Sequence, residues 1–286
     1  MIEGVVERVW PGGVESVEPL GGGITNHNFK VRAGGEAFVL RIGGKDTELL
    51  GIDRRVEQAA ATAASGLGIG PEIVAFVEPE GYLVTRFVEG EIGQVTPPEA
   101  GALLRRLHDG PAIPGRFNAF RVVEAYAATA RELGISLPHA FDGAKKTADR
   151  IERRRGSFDE RPCHNDLLAA NFINDGERVW IVDWEYAGMG DPAFDLANFA
   201  VNNALDEAGD EGLLEGYRGG DLAVHVLMRF MSDFREAMWG VVQQGIAELD
   251  FDFRGYADEH FARLEATAAE PRFQAALAGT PFTDSM

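Results

Sequence analysis

The hydrophobic pattern of this chain changes character near position 86. Before it, short apolar runs bounded by turn residues predict strands at 14–20, 29–32, 37–42, 72–77 and 82–85, with Gly34 and Gly35, then Glu80 and Gly81, at two of the reversals. Two helices interrupt them, one at 4–10 closed by Pro11, Gly12 and Gly13, the other at 53–65. Beyond the change the period is helical. In 97–108, Ala100, Leu103, Leu104 and Leu107 share one face behind Pro97 and Pro98. Further helices are predicted at 117–133, 138–155, 221–248 and 253–269. One stretch breaks this series: 171–173 and 178–182 are extended and apolar around Asn174, Asp175 and Gly176, a hairpin signal. Gly66, Gly68 and Gly70 look like a dinucleotide fingerprint, but they end a helix and Pro71 follows, so they read as a helix terminus.

With 286 residues the chain can bury a sizeable core as one large or two small domains. Its charge narrows the partners. Acidic residues number 46 against 27 basic, a formal net of −19, which argues against nucleic acid and anionic membranes and is compatible with a cationic small substrate or simply with solubility. Cys163 is the single cysteine, so there is no internal disulfide framework, and beside His164 it reads as a small packed residue. Residues 1–10 carry Glu3 and Glu7 and lack the apolar run of a signal peptide, and no stretch is long and apolar enough to span a bilayer; a cytoplasmic protein is expected. Arg153, Arg154 and Arg155 read as a solvated helix end favoured by the macrodipole, and the acidic run 206–215 as solvated surface.

Candidate chemistry concentrates in residues 161–199, RPCHNDLLAANFINDGERVWIVDWEYAGMGDPAFDLANF. Asp166, Asn171 and Asp183 set a carboxylate, an amide and a second carboxylate at the ends of short extended segments, and the hairpin returns Asn171 to Asp183. Phosphoryl transfer to a hydroxyl needs an acceptor for the hydroxyl proton and magnesium bridging the phosphates. Magnesium takes oxygen ligands, one or two of them from the protein. Asp166 suits the first task, Asn171 and Asp183 the second. Asp191 reads as a helix cap and Asp195 as an anchor that hydrogen-bonds the catalytic loop. Upstream, the glycine-rich loop at 21–26 lets backbone N–H groups approach phosphates, although three glycines alone are equally a hairpin turn.

The pattern His164-x-Asp166-Leu167-x-x-x-Asn171 has the spacing of the protein-kinase catalytic loop, and Phe38, Val39, Leu40, Arg41 parallels the strand that supplies the phosphate-pairing cation. His-Asn-Asp replaces His-Arg-Asp, Asp-Trp-Glu replaces Asp-Phe-Gly, and no Ala-Pro-Glu follows. With these departures and the run 181–195, nearly the whole chain resembles the choline/ethanolamine kinase family, within the wider group of aminoglycoside-phosphotransferase-like small-molecule kinases. The resemblance implies an α+β, bilobal, protein-kinase-like fold: an antiparallel-sheet nucleotide lobe over 1–86 and a helical catalytic and substrate-binding lobe over 87–286. It implies ATP between the lobes, Mg2+ on Asn171 and Asp183, and Asp166 as the base for the acceptor hydroxyl. Arg41 would steady the phosphates and pair with Glu57, Glu48 being the alternative. Gly22, Gly23, Thr25 and Asn26 would approach the phosphates, and Arg86 and Val88, in the hinge at 86–90, the adenine.

A quaternary ammonium such as choline needs aromatic faces around it. By the same resemblance Tyr186, Trp239 and Tyr256 line a cage, with Phe251 and Glu236 beside them; read alone, such an aromatic stripe is core packing. Two departures stand out. Glu236 replaces a second tryptophan one turn before Trp239, and Asn202 replaces an acidic residue after the D-L-A-N run, so either a carboxylate has changed walls or the amine differs. The expected activity is therefore phosphorylation of choline or a related amino alcohol. Kinases of aminoglycosides, thiamine or another cationic hydroxyl compound are the alternative. A non-catalytic nucleotide- or choline-binding protein is a third reading, opposed by the joint presence of Asp166, Asn171 and Asp183.

Overall fold

Strands with alternate side chains buried build the first sheet. The computed structural model describes residues 2–21, 26–247 and 251–280. In it α1 (Ile2–Val9) leads to β1 (Ser16–Leu20), β2 (Asn26–Ala33) and β3 (Glu36–Gly43). A 3-10 turn at Thr47–Leu50 and α2 (Arg54–Gly66) precede β4 (Ile73–Val77) and β5 (Tyr82–Arg86). Asp53 caps α2, its carboxylate accepting from the N–H groups of Arg55 and Val56. The five strands pair antiparallel in the order β1-β2-β3-β5-β4. On one face Phe38, Leu40 and Ile42 pack with Val31, Val84 and the Val5 and Val6 of α1. Val39 and Arg41 therefore point the other way, into a cleft.

The remainder is helical around one central element. After β6 (Glu91–Ile92) come α3 (Pro97–His108), α4 (Ala119–Glu132) and α5 (Phe141–Arg155). Short strands β7 (Arg161–Cys163), β8 (Phe172–Asn174), β9 (Val179–Ile181) and β10 (Gly188–Gly190) follow, then α6 (Pro192–Asn202), α7 (Glu207–Tyr217), α8 (Leu222–Ile246), α9 (Phe253–Ala269) and α10 (Pro271–Ala278). The expected hairpin is β8–β9, with Asn174 paired to Val179. Helix α8 is buried over most of its length, as an all-round apolar helix must be, and Phe230, Met231, Phe234 and Met238 meet Phe141, Phe261 and Phe273 in the largest core. Among the described residues no helix is long and apolar enough to cross a membrane.

Two charged runs differ from their sequence expectation. Asp210, in the acidic run, is fully buried and receives Arg229 Nη1 at 2.5 Å and Arg272 Nη1 at 3.3 Å, with His225 Nε2 at 3.0 Å. Packing of α7 against its neighbours turns one side of that run inward, so only part of it is solvated. Arg155 is not a free helix-end cation either: its Nε and Nη2 each donate to Asp191 at 2.9 Å. Arg154 Nε reaches the carbonyl of Ala276 at 3.3 Å.

Candidate active site

The loop that carries Asp166 leaves β7 and is tied down from α6. Asp195, completely buried, accepts from the N–H of His164 at 2.9 Å and of Asn165 at 2.6 Å, and lies 3.0 Å from His108 Nε2. Asp191 caps α6 through the N–H of Ala193. Both aspartates thus have the structural roles that the sequence suggests. His164 Nδ1 accepts from the N–H of Asp166 at 3.2 Å, so its Nε2 carries the proton and donates to the carbonyl of Val182 at 3.0 Å. Burial depresses this imidazole's pKa and keeps it neutral. The adjoining Cys163 is buried and its thiol is pushed up by burial, which fits a packing role. Asp195→Ala would strand several buried donors at once and is expected to cost about 3–5 kcal/mol, read by urea denaturation.

Two non-glycine residues in the left-handed region frame the site, Asn165 at φ 67° and Asp183 at φ 68°. Such residues are uncommon and cluster where surrounding structure over-determines the backbone. Here Asn165 Nδ2 holds the carbonyl of Tyr186 at 3.0 Å, linking the two turns. Asn171 ends a 3-10 turn, and its Nδ2 donates to the carbonyl of Asp166 at 2.8 Å, which leaves the amide oxygen as the end suited to a cation. The N–H of Val182 donates to the carbonyl of Asn171 at 3.0 Å, joining the hairpin next to Asp183. Asn171 and Asp183 line one cavity of about 410 Å³ with Val39, Arg41, Thr85, Arg86, Phe87 and Val88.

On the sheet side, Arg41 donates to Glu57 Oε1 at 2.8 Å and also pairs with Asp183. Glu57, not Glu48, is the helix partner. Arg54 has no counterpart among the residues expected from the sequence; it bonds Glu57 at 2.7 Å, Glu185 at 3.2 Å and Asn26 Oδ1 at 3.0 Å. Asn26 Nδ2 in turn donates to Glu185 Oε2 at 2.9 Å, so this side chain is spent on joining the two parts of the molecule instead of facing phosphates. Gly22, Gly23 and Thr25 lie outside the described residues. Burial, reinforced by Asp183, pushes the Glu185 carboxyl up to about 7. Above pH 7, where Glu185 is ionised as well, the three carboxylates of Glu57, Asp183 and Glu185 outnumber the two guanidiniums of Arg41 and Arg54, which favours a cation here. In the hinge, the Arg86 side chain turns to Glu36 at 2.7 Å and Glu72 at 3.4 Å. The N–H groups of Arg86 and Phe87 are committed to Glu72 and Ala37.

The aromatic residues named from the sequence do meet. Trp239 Nε1 donates to the Tyr186 hydroxyl at 3.1 Å, the rings of Trp239 and Tyr256 lie 5.5 Å apart, and the Tyr256 hydroxyl donates to Glu236 Oε2 at 2.9 Å. Phe251 stands at the edge, 45% exposed, its ring 6.2 Å from Tyr256. Between this group and Asp166 sits Arg235, for which the sequence holds no signal. Its Nη1 donates to Asp166 Oδ1 at 3.0 Å and to Glu236 Oε1 at 2.5 Å, and its guanidinium carbon lies 4.3 Å from the centre of the Tyr186 ring. Burial pushes the Asp166 carboxyl up to about 7, Arg235 pulling the other way and Glu236 adding to the rise.

A five-stranded lobe facing a helical body, with a buried aspartate and two oxygen donors at the cleft, is the arrangement of a small-molecule kinase. Residues 16–234 match the phosphotransferase enzyme family, and the chain belongs to it, beside the choline and ethanolamine kinases. Protein LicA of Haemophilus influenzae is 29% identical over 212 residues, 68% of this chain but only 61% of that relative's length. A choline/ethanolamine kinase family protein from Mesorhizobium loti is 31% identical with a TM-score of 0.82, covering 97% of this chain and 98% of its own. The choline kinase LicA of Streptococcus pneumoniae shares the fold, with a TM-score of 0.80 at 23% identity over 94% of this chain and 99% of its own.

Proposed function

We propose that this kinase transfers the γ-phosphate of magnesium-ATP to the hydroxyl of a small cationic amino alcohol of the choline/ethanolamine class. The observation that carries the reading is the place of Asp166, buried between the cleft lined by Asn171 and Asp183 and the group formed by Tyr186, Trp239, Tyr256 and Glu236. Asp166 orients the acceptor hydroxyl and receives its proton. Arg41, held by Glu57, presents a fixed guanidinium to the phosphates. Val88, whose neighbours Arg86 and Phe87 have spent their N–H groups on the carbonyls of Glu72 and Ala37, offers its backbone to adenine. The Asn171 amide oxygen and the Asp183 carboxylate would hold magnesium, which would supply charge neutralisation of the phosphates. Once Asp166 is ionised, the carboxylates of Asp166 and Glu236 outnumber the single Arg235, a balance that favours a cationic acceptor.

ADP release with magnesium-ATP, measured against ethanolamine, choline, thiamine and an aminoglycoside, tests this. Acceptor-dependent turnover of an amino alcohol is expected; turnover confined to thiamine or the aminoglycoside contradicts the substrate class. The carboxyl of Asp166 adds a pH signature. Since the base works ionised and burial places it at about 7, kcat/KM should fall about tenfold per pH unit as the pH is lowered below 7. A profile flat from pH 5.5 to 8.5 would contradict that assignment.

A further inference from the structure

Arg235 is only 1% exposed, yet its Nε and Nη2 are buried without a hydrogen-bond partner. Leaving such donors unpaired is unfavourable. What holds the guanidinium in place is charge, through Asp166 and Glu236, and the face of Tyr186. The chain thus lays a cation of its own on one wall of the aromatic group, between that group and the base.

We propose that Arg235 is the specificity-determining residue of the acceptor site, favouring acceptors whose ammonium carries N–H bonds over quaternary ammonium compounds. The inference rests on the amino-alcohol reading and narrows it. A quaternary ammonium has no N–H to donate, so its affinity comes from its charge and from the aromatic faces it covers. Here the Tyr186 face is taken, and Trp239 and Tyr256 are turned edge to face toward each other at 68°. A primary ammonium needs fewer faces. It can donate to Glu236, whose two oxygens accept one bond each, from Arg235 and from Tyr256, while a carboxylate has about four acceptor sites. One lost aromatic face corresponds to about 2- to 30-fold in binding.

The test compares kcat/KM for ethanolamine, its N-methyl and N,N-dimethyl derivatives and choline in the wild type, Arg235→Met and Arg235→Lys. In the wild type kcat/KM should fall along the series, choline standing roughly tenfold or more below ethanolamine. In Arg235→Met the cation over the Tyr186 face is removed, and the ethanolamine-to-choline ratio should shrink about tenfold. A damaged base would lower both substrates together and leave that ratio unmoved. Arg235→Lys keeps a cation beside Asp166 and should give an intermediate ratio. The wild-type series requires no variant to fold. A wild type that prefers choline, or a ratio unchanged in the folded variants, overturns the proposal while leaving the amino-alcohol reading intact. A wild type that turns over no amino alcohol refutes that reading, and the proposal with it.

Discussion

Asp166→Asn is expected to lower kcat by about 10²- to 10⁴-fold while leaving KM for magnesium-ATP nearly unchanged. The amide keeps the shape and can still accept from Arg235, but it cannot take the acceptor's proton. Loss of fold would not account for the result. Burial raises the folded-state pKa of Asp166 above the ordinary carboxylate range, so its contribution to stability is present at low pH and is lost as the pH rises to about 7. At pH 8 the neutral amide should therefore leave the melting temperature equal or higher. Steady-state kinetics and thermal melting at pH 8 check both halves; full activity, or inactivity accompanied by a collapsed melting transition, would count against Asp166 as the base.

Asp183→Ala is expected to reduce kcat/KM by about 10³-fold, several kcal/mol of transition-state stabilisation. Two functions are lost together: an oxygen donor on the cleft wall, and one of the carboxylates that position Arg41. Arg41 would keep Glu57 at 2.8 Å, with Glu185 more distant at 3.9 Å. The distinguishing readout is a magnesium titration. Metal dependence shifted to higher concentration supports Asp183 as a ligand, whereas an unshifted titration with the same loss of activity would assign its role to Arg41 alone.

Why these residues can be found in the sequence, and others cannot, follows from how far their partners lie along the chain. Asn171 and Asp183 flank a hairpin whose turn is spelled Asn174-Asp175-Gly176, so local rules bring them together. Asp191 and Asp195 sit at the start of a helix that opens with proline, where a cap is expected. Arg41 and Glu57 are close in sequence, and their strand and helix are both legible from periodicity. The aromatic residues come from the family resemblance, since a stripe on α8 and α9 otherwise reads as core, and much of it is core.

Arg235 has neither kind of signal. It lies inside a helix that is apolar nearly all round, 69 positions from Asp166, and only packing of α8 against the loop that follows β7 makes the two neighbours. Asp210 departs from its solvated expectation for the same reason: one face of an acidic helix turns inward to meet His225, Arg229 and Arg272. Glu185 does stand in view, two residues after Asp183. Its role becomes legible only with Arg54 and Asn26 beside it, the latter 159 positions away at the start of β2.

Activation by Asp166 of an amino-alcohol hydroxyl for attack on the γ-phosphate has a product that can be observed directly. The most direct measurement is phosphorus NMR of a reaction containing magnesium-ATP and ethanolamine. ADP and an equal amount of a phosphate monoester on the alcohol oxygen are expected, both falling sharply with Asp166→Asn. Inorganic phosphate without ester, a phosphoramidate on nitrogen, or AMP with pyrophosphate would contradict it.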